Sequence, residues 1–359
     1  MADMKVGLVL SGGGAKGAWQ AGLVRALAEL GVQVDVVAGA SIGALNGAIV
    51  ASAGTLEKAS EHLETLWSTL AQSSPVSFNP FGYLTMLASA GSSFALPRGV
   101  NRIADIARLV ARRMDVPLPE WVSEREIGIA SDEPLKRLMD EYLDPDALRS
   151  GLPLYVSLFR SNGAMADLLD VASAELGFPD TAESEFVHVQ ALPVSEQRTA
   201  LLGSAAIPVL FAAKEVGGVR YSDGGMGGWQ TMQGNTPMTP LLEAGCDTII
   251  VTHLSDGSLW SRQAFAGVRI LEIRPQRAIS REASLLDHRD LLGFHAEKIP
   301  SWIHQGYEDT LQCIGRVMQP AKARNALCRS EQQVVEAEQR SVSSEAVLAS
   351  AMARLRRSR

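Results

Sequence analysis

The chain has 359 residues, 46% of them apolar, and a formal net charge of −7; it can bury a substantial core as one large domain or two ordinary ones. The acidic balance argues against a dedicated nucleic-acid binder, whose footprint is a broad basic surface. Cys246, Cys313 and Cys328 are an odd count without CxxC spacing, so they read as free thiols in a reducing compartment, not a disulfide framework or a zinc site.

The opening MADMKVGLVL carries one lysine and too short an apolar run for a secretory leader, and no apolar run reaches transmembrane length. The chain therefore reads as a soluble, bacterial-looking cytoplasmic protein; export without a cleavable signal would leave no mark. VGLVL predicts a strand, which runs into SGGGAKG with four glycines in six positions. A helix from Ala18 to Leu30 comes next, with Leu23, Leu27 and Leu30 on one face. A second strand, Val32 to Ala38, leads into GASIG (Gly39 to Gly43) and the apolar helix ALNGAIVAS. This alternation predicts a parallel sheet covered by helices.

Over residues 68–150 the pattern changes. SSPVSFNPFGYLTMLASAGSSFALPRG mixes Ser, Gly and Pro with apolar side chains, and IADIARLVARRM reads as a short helix. Such an insertion is expected as a lid or cleft wall, or more plainly as an elaboration packed for stability. Strand signals resume at 152–159, 185–192, 247–254 and 268–275, with SAAIPVLF and VRYSDGGMGGW among them. The α/β body is expected to reach about residue 320. Residues 321–359 are polar, helix-prone and end in four arginines within six positions.

A strand, a glycine-rich turn and a helix start make an anion site, which leaves the anion to be identified. A nucleotide P-loop needs Lys followed by Ser or Thr, and GGGAKG is followed by Ala18. A dinucleotide fingerprint matches at Gly12, Gly14 and Gly17, but its acidic partner belongs at the end of the second strand, and Asp35 lies near the start. The third choice is an oxyanion that exists only during a reaction. GASIG sets Ser41 between a strand and a helix, as in a nucleophile elbow, where the helix N-terminus favours developing negative charge; a purely structural turn is the alternative. Of the six histidines, His62, His188, His253, His288, His295 and His304, only His253 ends a strand, and such a histidine more often serves packing. Asp223, before two glycines, either points into a cleft or makes an ordinary Asp-Gly turn. No spacing of acids and histidines suits a metal.

In order, SGGGAKG, GASIG, SAAIPVLF and YSDGG resemble the patatin-like phospholipase (acyl hydrolase) family, bacterial type, over about residues 5–255. The stretch GNTPMTPLLEAGCDTIIVTHLS, with Asn235 and Pro237, is similar to the family's segment after its aspartate. The resemblance implies a three-layer α/β/α fold with a mostly parallel central sheet, an acyl hydrolase domain over 5–320, and a helical tail over 321–359. It implies a Ser-Asp dyad without histidine: Ser41 as nucleophile and Asp223 as general base. Gly12, Gly13 and Gly14 would give backbone N–H groups to the oxyanion, with Lys16 reinforcing the field. Gly17, Gly39, Gly43, Gly224 and Gly225 are the remaining motif glycines. No cofactor or metal is implied.

The implied reaction releases fatty acid from phospholipids or related esters through an acyl-enzyme; an esterase or thioesterase on soluble substrates and a non-catalytic lipid-binding module are the alternatives. Phe78, Phe81, Tyr83, Leu84, Met86 and Leu87 would suit an acyl chain or plain core. Arg354, Arg356, Arg357 and Arg359, after apolar Leu348, Met352 and Leu355, would hold an anionic membrane surface or form a solvated helix end. An activating protein partner would be compatible with all of this. One departure is LFAAKEV, where the family often has an FPP-like stretch.

Overall fold

A computed structural model describes residues 5–72, 132–175, 177–208, 211–254, 260–279 and 297–316. Eight strands form one sheet: β1 (Val6–Leu10), β2 (Val36–Gly39), β3 (Leu154–Arg160), β4 (Glu185–His188), β5 (Lys214–Val216), β6 (Val219–Asp223), β7 (Thr248–Thr252) and β8 (Arg269–Ile273). The hydrogen-bonded order is β5-β6-β3-β2-β1-β7-β8, with β4 also on β3. The five strands from β3 to β8 along that order run parallel, whereas β4, β5 and β6 pair antiparallel. The sheet is therefore mixed rather than wholly parallel.

Side-chain alternation explains the layers. Every residue of β1 and β2 is buried, as expected for strands covered on both faces. Val9, Val36, Ala38, Ile249 and Val251 point to one face and pack with Met238, Leu241 and Trp260. Val37, Leu10 and Leu154 point to the other and meet α2 (Ile42–Ser52) at Gly47. All residues from Ile42 to Ala51 of α2 are buried, which fits a helix apolar on every side. Outside it lie α1 (Ala18–Glu29) and α3 (Leu56–Gln72), which pack together. Trp19 of α1 donates from Nε1 to Asp309 at 3.1 Å, on the helix that begins at 298.

β2 starts four residues later than its apolar pattern predicts. The preceding Asp35 folds against β1 instead, where its carboxylate accepts the Val6 N–H at 2.7 Å. EFVHVQAL is strand only to His188 and then turns 3-10 over Val189–Ala191. The ends of the 68–150 segment are helical: α3 runs to Gln72, and α4 (Glu133–Tyr142) and α5 (Pro145–Ser150) precede β3. Farther along lie α6 (Ala164–Glu175), α7 (Val194–Ser204) and the short α8 (Thr239–Glu243). The helix expected at IADIARLVARRM, the apolar cluster from Phe78 to Leu87 and the arginine-rich end lie outside the described residues. The chain divides into two compact units, Met1–Thr310 and Leu311–Arg359. Among the described residues no helix is long and apolar enough to cross a membrane.

Candidate active site

The register of β3 brings the two motif residues together. β2 pairs along Leu154, Tyr155 and Val156, while β4 occupies the opposite edge from Tyr155 to Leu158. Leu158 pairs with both Glu185 of β4 and Asp223 of β6. β6 must therefore take the edge used by β2, just past the point where β2 stops. Gly39 lies opposite Val156 and Asp223 opposite Leu158, so the two strand ends face each other across about 7 Å of β3. Both chains turn outward there, at Ser41 and Asp223.

Ser41 sits at φ 52°, ψ −127°, a conformation that costs a non-glycine residue about 1–3 kcal/mol and is held only by its surroundings. The flanking glycines supply that constraint. A Cβ on Gly43 would fall 2.0 Å from the Leu10 carbonyl oxygen, and one on Gly39 would fall 2.4 Å from that of Gly43. Only bare backbone lets β1, β2 and α2 converge so closely, and this convergence presses the serine into its strained turn.

The SAAIP segment clamps both residues. The Ser41 N–H donates to Ser204 Oγ at 3.1 Å, and the Asp223 N–H donates to the Ala206 carbonyl at 2.9 Å. Below the glycine loop lies a buried polar network. Gln20 Nε2 donates to the Ser11 carbonyl at 2.8 Å, Asn46 Nδ2 donates to Gln20 Oε1 at 2.8 Å, and Trp67 Nε1 donates to Asn46 Oδ1 at 3.2 Å. Unpaired groups at such depth are costly, so a satisfied network of this kind holds the loop in one conformation.

Ser41 and Asp223 are both only 7% exposed. Burial raises the Asp223 pKa from 3.8 to about 6, while hydrogen bonds from the Ser41 hydroxyl and the Gly225 N–H pull it part of the way back. The Gly225 bond is 2.8 Å. The carboxylate is therefore a stronger base than an exposed aspartate and already touches the hydroxyl it would deprotonate.

The fingerprint of a Patatin-like phospholipase matches residues 8–242, which includes the glycine loop, the elbow and the aspartate. The chain belongs to the patatin-like phospholipase family. Among curated proteins it is similar to Lysophospholipase nte1 of Aspergillus terreus, 56% identical over 46 residues, or 13% of this chain and 3% of that protein. It is likewise similar to Patatin-like phospholipase domain-containing protein 7 of Mus musculus, 59% identical over 46 residues, or 13% of this chain and 3% of that protein. The matched stretch thus spans a small fraction of those relatives' length. The crystal structure of VipD from Legionella pneumophila aligns with 88% of this chain and 67% of its own, at 15% identity and a TM-score of 0.36.

Within this patatin-like fold, the other expected residues fall into place unequally. Gly12 has no room for a side chain, since a Cβ there would lie 2.8 Å from Ser41 Cβ. Its N–H, however, already donates to Asn235 Oδ1 at 3.0 Å. Gly14 opens the 3-10 turn Gly14–Gly17 at φ 61°, and Lys16 in that turn is half-buried. Asp35 is engaged at the far end of β1, so it cannot serve a dinucleotide bound at the loop. His253 is buried beside Trp260, with Glu272 Oε2 3.6 Å from Nε2. Burial lowers its pKa to about 3.

Sequence reasoning missed Ser204 as the clamp on the elbow, and Gln20, Asn46 and Trp67 as the loop's support. A signal existed for the amides: Gln20 and Asn46 interrupt otherwise apolar helix faces. Among the described residues no three His, Cys, Asp or Glu side chains gather into a metal set. Along α2, α3 and α4 lies a small apolar hollow of about 30 Å³, lined by Ile42, Leu45, Ile49, Leu66, Leu138 and Met139 among others.

Proposed function

We propose that this chain is a serine acyl hydrolase that releases fatty acid from phospholipids or related lipid esters, with Ser41 as nucleophile and Asp223 as its base. The observation that carries the reading is the contact between a strained, buried serine hydroxyl and a buried carboxylate whose pKa is raised to about 6. At neutral pH such a carboxylate is mostly ionised yet basic enough to take the serine proton.

Ser41 Oγ attacks the ester carbonyl carbon and its proton passes to Asp223. The carbonyl oxygen becomes an oxyanion beside the backbone of the glycine loop, Gly12 to Gly14, with the Lys16 charge nearby. Collapse breaks the bond to the leaving oxygen, which takes the proton from Asp223 and departs as the alcohol. Water then attacks the acyl-enzyme, giving its proton to Asp223; fatty acid leaves and the proton returns to Ser41. Membership of the patatin-like phospholipase family supports a lipid over a small soluble ester. On this reading the protein works from the cytoplasm on a lipid surface, with a body ending near residue 320.

The test labels wild type, Ser41→Ala and Asp223→Asn with a fluorophosphonate probe and tracks fatty-acid release from mixed phospholipid vesicles. Labelling and release should both vanish in Ser41→Ala. A labelled wild type that leaves vesicles intact would turn the reading toward a soluble ester, and an unlabelled wild type would turn it toward a binding module.

A further inference from the structure

Asn235 reaches the site from a loop that the reaction scheme leaves unused. After β6 the chain folds back over the Asp223 turn through residues 227–238. Met232 adopts φ 56°, rare for a non-glycine residue, and its carbonyl accepts the Thr236 N–H at 3.0 Å. The Gly234 N–H donates to the Gly227 carbonyl at 2.9 Å. A Cβ on Gly234 would lie 2.4 Å from the carbonyl oxygens of both Gly224 and Gly227. A strained residue and a glycine without room for a side chain thus fix the chain just before Asn235, and such strain concentrates where position matters to function.

The Asn235 amide ends between both halves of the site. Its Oδ1 accepts the Gly12 N–H at 3.0 Å. The position of a Cβ on Gly225 lies 2.9 Å from Asn235 Oδ1 and 3.1 Å from Asp223 Oδ1, so these two oxygens are no more than about 6 Å apart. On the other side, a Cβ on Gly12 would lie 2.6 Å from Asn235 Oδ1 and 2.8 Å from Ser41 Cβ.

We infer that Asn235 is the positioning residue that locks the glycine loop to the Asp223 turn, and that its neutral amide keeps a second negative charge away from the base. The inference rests on the Ser41–Asp223 reading above. An aliphatic residue would leave the Gly12 N–H without its acceptor and let the loop shift. A carboxylate would keep the acceptor but repel Asp223. The other charged groups near this turn are Lys16 on the glycine loop, Asp167, which accepts from Ser222 Oγ at 2.6 Å, and Lys214 of β5, paired with Asp132 at 2.5 Å. The Asp223 shift comes from burial, Ser41 and Gly225, with no part from those four.

The experiment measures the rate of fluorophosphonate labelling of Ser41 against pH in the full chain, for wild type, Asn235→Ala and Asn235→Asp, with melting temperatures to show that each is folded. Wild type should lose labelling on the acid side near pH 6. Asn235→Ala should label about 10- to 100-fold more slowly at every pH, with the acid limb unmoved, as a misplaced site does. Asn235→Asp should shift the acid limb upward by about 1–2 pH units and recover toward the wild-type rate near pH 9. A residue with only a structural role would not move that limb, and the isosteric Asn235→Asp decides the matter even if Asn235→Ala does not fold. An acid limb unmoved in Asn235→Asp, or a wild-type rate in Asn235→Ala, overturns the inference while leaving Ser41 as nucleophile. A wild type that is not labelled at all overturns both.

Discussion

Replacing Asp223 by Asn should make the protein more stable while stopping its chemistry. The folded state holds this carboxyl proton to a pKa of about 6, against an ordinary value of 3.8. Between about pH 4 and pH 6 the folded chain therefore binds a proton that the unfolded chain has released, and stability falls as pH rises through that window. A gap of about 2 pH units corresponds to about 3 kcal/mol, the cost of keeping the ionised carboxylate buried at pH 8. Asparagine keeps an oxygen for the Gly225 N–H but carries no charge. The stability difference between variant and wild type should be near zero at pH 4 and grow to about 3 kcal/mol by pH 8, or about 5 °C in melting temperature. Urea unfolding of both proteins from pH 4 to 8 reads this directly. His253 acts in the opposite direction: buried neutral with a pKa near 3, it costs stability as pH falls below about 6.5. Both proteins carry it, so it drops out of the difference. A difference that does not change with pH, or an Asn variant less stable than wild type at pH 8, would refute the idea that the site stores its basicity as desolvation.

Gly12→Ala should abolish labelling of Ser41, at least about 100-fold, because the added methyl collides with Ser41 Cβ and Asn235 Oδ1; its overpacking cost of about 1–3 kcal/mol shows in the same urea titration. His253→Gln should leave the labelling rate per folded molecule at the wild-type level, and a loss of tenfold or more would reinstate a histidine base.

The parts of this site that were legible in the sequence are those whose cause is local. VGLVL and TIIVT announce strands buried on both faces because their residues are apolar almost throughout. GASIG announces an elbow because two small residues must flank a strained serine, and the Gly43 approach to Leu10 is the physical form of that requirement. Register, by contrast, is not displayed in the sequence. β6 could have joined the sheet anywhere that leaves its side chains buried. It delivers Asp223 to Ser41 because β3 outlasts β2 and offers the vacated edge.

The same limit applies to the glycine loop. Four glycines say that backbone N–H groups are presented, but not which of them remain available. That depends on Asn235, 223 residues away from Gly12, and on Gln20 and Asn46 beneath the loop, whose partners lie on separate helices. An oxyanion hole is defined by the donors left over after the scaffold has been satisfied, so its residues emerge from the hydrogen-bond accounting of the fold. For the first glycine of the motif that accounting ends on Asn235, which accepts the Gly12 N–H from a loop far along the chain.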